Sequence, residues 1–202
     1  MKKIVLASGN AGKIREIREI FSGLDVEIVA QSGLGIESPE ESGETFTENA
    51  LIKARYAAEQ TGLATIADDS GIAVEALGGK PGVHSARYAG ANAGDEDNLL
   101  RLLRELEGVP DEDRSAAFHC AAVLVFPGDT EASIVVEEVW HGTILHSRRS
   151  AGGFGYDPVF LDPDSHKTGA EMSKAEKNAV SHRGKAFRKL RQRIGALCER
   201  RR

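Results

Sequence analysis

Hydrophobic and polar positions follow two periods along this chain, and the switches between them mark its elements. Residues 2–7 form a short apolar run that reads as a buried strand, and residues 8–13 (SGNAGK) read as a tight turn. Beyond the turn, Ile14, Ile17 and Phe21 recur at helical spacing with charges between them, the mark of an amphipathic helix. A second strand fits 26–30, and 31–43, rich in Ser, Gly, Pro and Glu, is a loop. Thr45 and Glu48 form a capping-box pattern, and Phe46, Ala50, Leu51, Ala54 and Ala57 carry the helix behind it to about Gln60.

A short strand at 63–67 then runs into Asp68-Asp69-Ser70-Gly71, which places the two acids at its end. Residues 78–94 hold five glycines and a proline and read as a long loop with the character of a binding surface. Leu99, Leu102, Leu103 and Leu106 predict another amphipathic helix. The β-type runs 116–126 and 132–140, around Pro127-Gly128-Asp129, predict a hairpin, and 152–157 another loop. Ser173 and Glu176 repeat the capping box and open a helix that breaks near Gly184. Phe187, Leu190, Ile194 and Leu197 line a last, basic helix from about residue 185. No linker, repeat or low-complexity stretch interrupts the chain, so one α/β unit with a hairpin extension spans 1–202.

Composition narrows the class. At 202 residues, 41% hydrophobic and 28% charged, the chain can bury one substantial core and is too apolar to stay disordered. No apolar run approaches the ~20 residues of a membrane span. The first apolar run stops at Gly9-Asn10, with charge from Lys13 onward, so it reads as a strand and not a signal peptide. Cys120 and Cys198 stand far apart with no ligand spacing; two buried, reduced thiols of a cytosolic protein are the expectation. The net charge of −5 hides an asymmetry: Lys167 to Arg202 carries 12 Lys/Arg against 3 Asp/Glu, and the rest 14 against 28. Such a tail suits either a polyanion partner or a solvated helix face.

Four clusters could carry chemistry. Ser8-Gly9-Asn10-Ala11-Gly12-Lys13 turns from strand to helix, where backbone N–H groups and the helix dipole favour phosphate. Ala7 and Ile14 stand where a Walker A loop needs Gly and Ser or Thr, which argues against a P-loop NTPase. Glu40-Glu41 and Asp68-Asp69 are paired carboxylates of the kind hard cations take. Neighbours in an extended segment point to opposite faces, so one acid of each pair faces a site and the other does something else. Gly152-Gly153-Phe154-Gly155-Tyr156-Asp157-Pro158 lets backbone approach a flat ligand while a ring stacks on it. Lys177 with Ser181-His182-Arg183 could meet phosphate and a carbonyl edge. Each cluster also has a plainer reading as turn, solvated surface or helix face.

Taken in order, SGNAGK, FTENALIKA, ADDSG, LGGKPGVHSARYAG, GGFGYDP and EKNAVSHRG closely resemble the inosine triphosphate pyrophosphatase family, over Met1 to about Leu190. The resemblance implies an α/β fold: a mixed, twisted central sheet flanked by helices, with two lobes around a nucleotide-binding cleft. It also implies a cytoplasmic homodimer, with no nucleic-acid or membrane partner. The reaction it implies is Mg²⁺-dependent cleavage of ITP, dITP and XTP to monophosphate and pyrophosphate. By motif, Ser8, Gly9, Asn10, Ala11, Gly12 and Lys13 would hold phosphates, with Lys53 a further contact. Glu40 and Asp69 would bind Mg²⁺, Glu41 being the alternative to Glu40 if the loop register slips by one. Asp69 would also accept the proton of the attacking water, its pKa lowered by the metal. Ser70, Phe154, Gly155, Tyr156, Asp157, Lys177, His182 and Arg183 would contact substrate, the last two reading the 6-oxo group. A pyrophosphatase with another base preference is the closest rival reading. The terminal Arg200-Arg201-Arg202 matches no motif and reads as a solvated tail.

Overall fold

The structure is a computed structural model and describes residues 3–199, the side chains of residues 130–132, 198 and 199 apart. One six-stranded sheet has the order β2-β1-β3-β4-β5-β6. Its strands are β1 (Lys3–Leu6), β2 (Glu27–Ala30), β3 (Thr65–Val74), β4 (Ser115–Phe126), β5 (Asp129–Ile144) and β6 (Phe160–Leu161). β1 pairs in parallel with β2 and β3, and β5 pairs antiparallel with β6, so the sheet is mixed. The helices are α1 (Ala11–Phe21), α2 (Phe46–Thr61), α3 (Asp95–Glu105), α4 (Lys174–Val180) and α5 (His182–Glu199). Among the described residues, no helix is long and apolar enough to cross a membrane.

The chain divides into two compact units, the first of Met1–Asp69, Cys120–Glu138 and Arg183–Arg202, the second of Ser70–His119 and Val139–His182. In the first unit the alternation of strand side chains sorts two cores. Ile4 and Leu6 of β1, Ile66 of β3 and Cys120, Ala122 and Leu124 of β4 pack with Ile17 and Phe21 of α1 and Phe187, Leu190 and Ile194 of α5. Val5 and Ala7, Ala67, and Ala121, Val123 and Val125 pack instead with Ala50, Ala54, Ala57 and Ala58 of α2. The strands are thus buried on both faces, which is why β1 and β4 read as nearly unbroken apolar runs. Each large side chain so buried contributes about 1.5–3 kcal/mol. Cys120 is a buried free thiol; Cys198 lies outside the described side chains, and Arg200-Arg201-Arg202 outside the described residues.

The second unit holds a separate core of Ile72, Val74, Phe118, Trp140, Ile144 and Phe160 from the strands with Leu99, Leu102 and Leu106. Residues 78–94, expected as a long loop, are mostly exposed or half-buried, but Ser85 and Tyr88 are buried and Gly82–Arg87 is a 3-10 helix.

The capping boxes form as expected, Thr45 with Glu48 at α2 and Ser173 with Glu176 at α4, each cap worth about 1 kcal/mol. The helix break falls at Ser181, in extended conformation, and not at Gly184, which lies inside α5. β3 continues through Asp68-Asp69-Ser70-Gly71 to Val74, so the two acids sit inside a strand and not at its end.

Candidate active site

The position of Asp68 and Asp69 follows from the parity of β3. Asp68 shares the face of Ile66, toward α1 and α5, and its Oδ2 accepts from Lys13 Nζ at 2.8 Å, with Arg183 Nε at 3.5 Å. Asp69 shares the face of Ala67, toward α2, and its Oδ1 accepts from Lys53 Nζ at 2.9 Å. The expected division of labour between adjacent acids is therefore present, with two lysines from two helices brought to one stretch of strand.

Burial and charge oppose each other here. Burial alone would raise the Asp68 carboxyl, but Lys13, Arg183 and Lys53 outweigh it and hold it well below the usual carboxylate range. At Asp69 burial wins: it raises the carboxyl against the pull of Lys53, and Glu41 adds to the rise. The protein's own groups thus set Asp69 higher. Burial would lower the Lys53 ammonium, yet Asp69, Asp68 and Glu41 raise it. Arg183 is raised as well, because Asp68 and Glu16 overcome its burial; its Nη1 donates to Glu16 Oε2 at 2.8 Å. The guanidinium expected at a base edge takes part in this ion-pair network.

The loop 31–43 brings Glu41, not Glu40, to the cluster. Glu41 Oε1 lies 2.7 Å from Lys53 Nζ, while Glu40 is exposed. Asn49, fully buried on α2, fixes that placement: its Oδ1 accepts from the Gly43 N–H at 2.8 Å and its Nδ2 reaches toward Asp69 Oδ2 at 3.5 Å. Gly43 permits the approach, since a Cβ there would stand 2.7 Å from Glu48 Cβ and 2.8 Å from Asn49 Oδ1. Asn49 was not singled out from sequence, although a second polar residue one turn before Lys53 on the apolar face of α2 was a usable signal.

In the turn before α1, Asn10 is the N-cap, and its Oδ1 accepts from the N–H groups of Gly12 at 2.8 Å and Lys13 at 3.0 Å. Ser8 Oγ accepts from the Asn10 N–H at 3.3 Å. The turn is thus held in shape by its own side chains, with Gly9, Asn10 and Ala11 exposed.

The second unit gathers another set. Asp157 Oδ2 accepts from the Phe154 N–H at 2.9 Å and from Lys177 Nζ at 2.5 Å, and that ammonium lies 4.3 Å from the centre of the Phe154 ring. Gly153 must be glycine: its φ is +77° and a Cβ would come within 2.6 Å of Asp157 Cβ. The Gly155 N–H is held by Asp95 at 2.8 Å. Tyr156 is buried, with its hydroxyl donating to the Ser85 carbonyl at 2.8 Å. His182 stacks on Phe118 at 4.7 Å between ring centres, nearly parallel to it, and Trp140 completes the cluster at 6.3 Å from His182. Ser70 is half-buried on β3. Phe118, Trp140, Asp95 and Glu16 carried no sequence signal, because each meets its partner across a long stretch of chain.

Chemically, the first unit offers cationic groups and two carboxylates meeting at one ammonium, suited to phosphate and a hard cation. The second offers a flat aromatic face with a cation over it, suited to a planar heterocycle.

Comparison with known proteins agrees with this chemistry. A model described as the Ham1 family matches residues 4–193. A dITP/XTP pyrophosphatase of Pectobacterium atrosepticum is 53% identical over 190 residues, 94% of this chain and 96% of that protein. One of Yersinia pestis is 53% identical over 188 residues, 93% and 95% of the two chains. Among solved structures, a HAM1 protein from Coxiella burnetii aligns with a TM-score of 0.90 at 45% identity, covering 96% of this chain and 98% of that one. The Ham1 protein of Staphylococcus aureus aligns with a TM-score of 0.86 at 39% identity, covering 96% and 99%.

Proposed function

The chain belongs to the Ham1 family, and from that premise we propose that it hydrolyses dITP, ITP and XTP to the monophosphate and pyrophosphate, clearing them from the nucleotide pool. The observation that carries the reading is the convergence of Glu41 and Asp69 on Lys53 beside the Lys13–Asp68 pair. The names of the similar enzymes supply the substrate class. The resemblance supports a homodimer working in the cytosol.

Lys13, Lys53 and the turn Ser8–Lys13 bind the triphosphate, and their charges stabilise the leaving pyrophosphate. Asp69 accepts a proton from the water that attacks the α-phosphorus. Asp68 acts through Lys13 and Arg183, keeping both in place. Mg²⁺ fits the donor set: Glu41 and Asp69 present hard oxygens near one point, and no group of three or more His, Cys, Asp or Glu forms a closed cage among the described residues. An ion that shares its coordination with water and substrate phosphate needs only one or two carboxylates. Held by Glu41 and Asp69, Mg²⁺ would neutralise phosphate charge and acidify water.

The base lies against Phe154, and donors around Asp157, Lys177 and His182 meet a 6-oxo group. The 6-amino group of adenine would leave such a donor unpaired, at a cost of about 1–3 kcal/mol each.

Hydrolysis of dITP in ¹⁸O-labelled water tests the bond assignment. The label is expected in the monophosphate only, with turnover lost on chelation and restored by Mg²⁺. Label in pyrophosphate would place attack on the β-phosphorus and overturn the role given to Asp69.

A further inference from the structure

The loop around Phe154 is tied to a segment far away in sequence. Phe154 to Asp157 is closed on itself by two bonds: the Phe154 N–H donates to Asp157 Oδ2 at 2.9 Å, and the Asp157 N–H to the Phe154 carbonyl at 3.2 Å. Two further bonds fix the closed loop to residues 85–98 of the same unit. The Tyr156 hydroxyl donates to the Ser85 carbonyl, and the Gly155 N–H donates to Asp95 Oδ2 at 2.8 Å. Gly155 has φ +58°, so its N–H direction is set by a left-handed turn that other residues enter with strain.

Asp95 is itself rigidly mounted. It opens α3, whose Asn98 is buried and bonded on both sides, accepting from the Ala89 N–H at 2.7 Å and donating to the Ala86 carbonyl at 3.1 Å. Leu99 and Leu102 hold the next turn in the core. Of the three acids in the first turn of α3, Asp97 caps Gly94, Glu96 pairs with Arg148, and Asp95 reaches the loop. A carboxylate holding a backbone N–H makes a charge-assisted bond, about twice as strong as a neutral one.

We infer that Asp95 is a positioning residue for base recognition: it holds Gly155, and through it the Phe154 ring, in the orientation that receives the purine. The inference rests on the reading of Phe154 as the base contact. Asp95 belongs to the second unit and the groups assigned to phosphate belong to the first, so its loss is expected to act on affinity for the base and to leave affinity for phosphate unchanged.

The test compares Asp95→Ala, Asp95→Asn, Glu96→Ala and Phe154→Ala in the full chain with Mg²⁺. It measures kcat and KM for dITP and competitive inhibition by tripolyphosphate, which has phosphates and no base. Asp95→Ala is expected to raise KM for dITP about tenfold, the loss of one hydrogen bond to a charged group. Its kcat should stay within about twofold and the tripolyphosphate inhibition constant should not move. Asp95→Asn keeps an acceptor oxygen and should recover most of the loss. Glu96→Ala, an equal change of charge on the same helix turn, should do little. If Asp95→Ala leaves KM unchanged while Phe154→Ala raises it, the inference is overturned and the base reading stands. If neither variant moves KM, the base reading falls and takes the inference with it. If Asp95→Ala shifts KM and tripolyphosphate inhibition together, or no more than Glu96→Ala does, Asp95 supports the helix and not the loop.

Discussion

Replacing Asp69 by Asn is expected to lower kcat for dITP by roughly 10³, within the range one proton-transfer group contributes, while the protein still melts cooperatively. Asn keeps the shape of the side chain, and its oxygen can still accept from Lys53, the 2.9 Å partner of Asp69 Oδ1. What disappears is the charge that takes the proton, together with one of the two carboxylates that meet at Lys53. Because burial already raises the Asp69 carboxyl, neutralising it removes a strained charge along with a useful one. The melting temperature should therefore move by only a few degrees, about the shift that 1 kcal/mol gives in a domain of this size. Steady-state kinetics beside a thermal melt reads both quantities. Near-full turnover in Asp69→Asn would remove Asp69 from the chemistry.

Asp68→Asn should do the reverse, damaging the fold first. The Asp68 side chain has no exposure and sits between Lys13 and Arg183, itself buried. Removing its charge takes one of its anionic partners from Arg183, whose Nη1 also donates to Glu16, and breaking a buried pair from one side costs about 3–5 kcal/mol. A fall in melting temperature of roughly 10 °C is expected. The pH dependence carries a sign. A carboxyl whose folded pKa lies below its unfolded value contributes stability that is complete above the unfolded pKa, about 4, and is lost only as pH falls through the folded one. The gap between wild type and variant in urea melts should thus stay constant from pH 7 to pH 5 and narrow only in stronger acid. A gap that closes between pH 7 and pH 5 would mean that Asp68 is not held by its cationic neighbours.

These two variants are expected to differ because neighbouring side chains of one strand face different helices. That alternation was legible in the sequence: Asp68-Asp69 follows an apolar run, and adjacent strand residues part to opposite faces. The capping boxes at Thr45 and Ser173 were legible for a similar reason, since a box is complete within four residues of chain. The strand itself was harder to read. β3 continues through two acids, a serine and a glycine, because Lys13, Arg183 and Lys53 from elsewhere compensate the buried charge, and local propensity contains none of that. β6 is only Phe160–Leu161, too short to show a period.

The choice between Glu40 and Glu41 turns on Gly43 and Asn49, a loop-to-helix bond that no pattern of residue types announces. Tertiary partners likewise explain the burial of Arg183, whose bond to Glu16 spans nearly the whole chain. The excess of positive charge toward the C-terminus is largely engaged in the same way: Lys189 pairs with Glu138, while Arg191 and Arg193 donate to the carbonyls of Ser22 and Val135.

The most direct measurement is pyrophosphate release from a panel of dITP, ITP, XTP, ATP, GTP, CTP and UTP, with and without Mg²⁺, with orthophosphate assayed separately. Pyrophosphate released from the first three alone, and only with the metal, is the predicted result. Orthophosphate as the product, or equal rates on ATP and ITP, would contradict it.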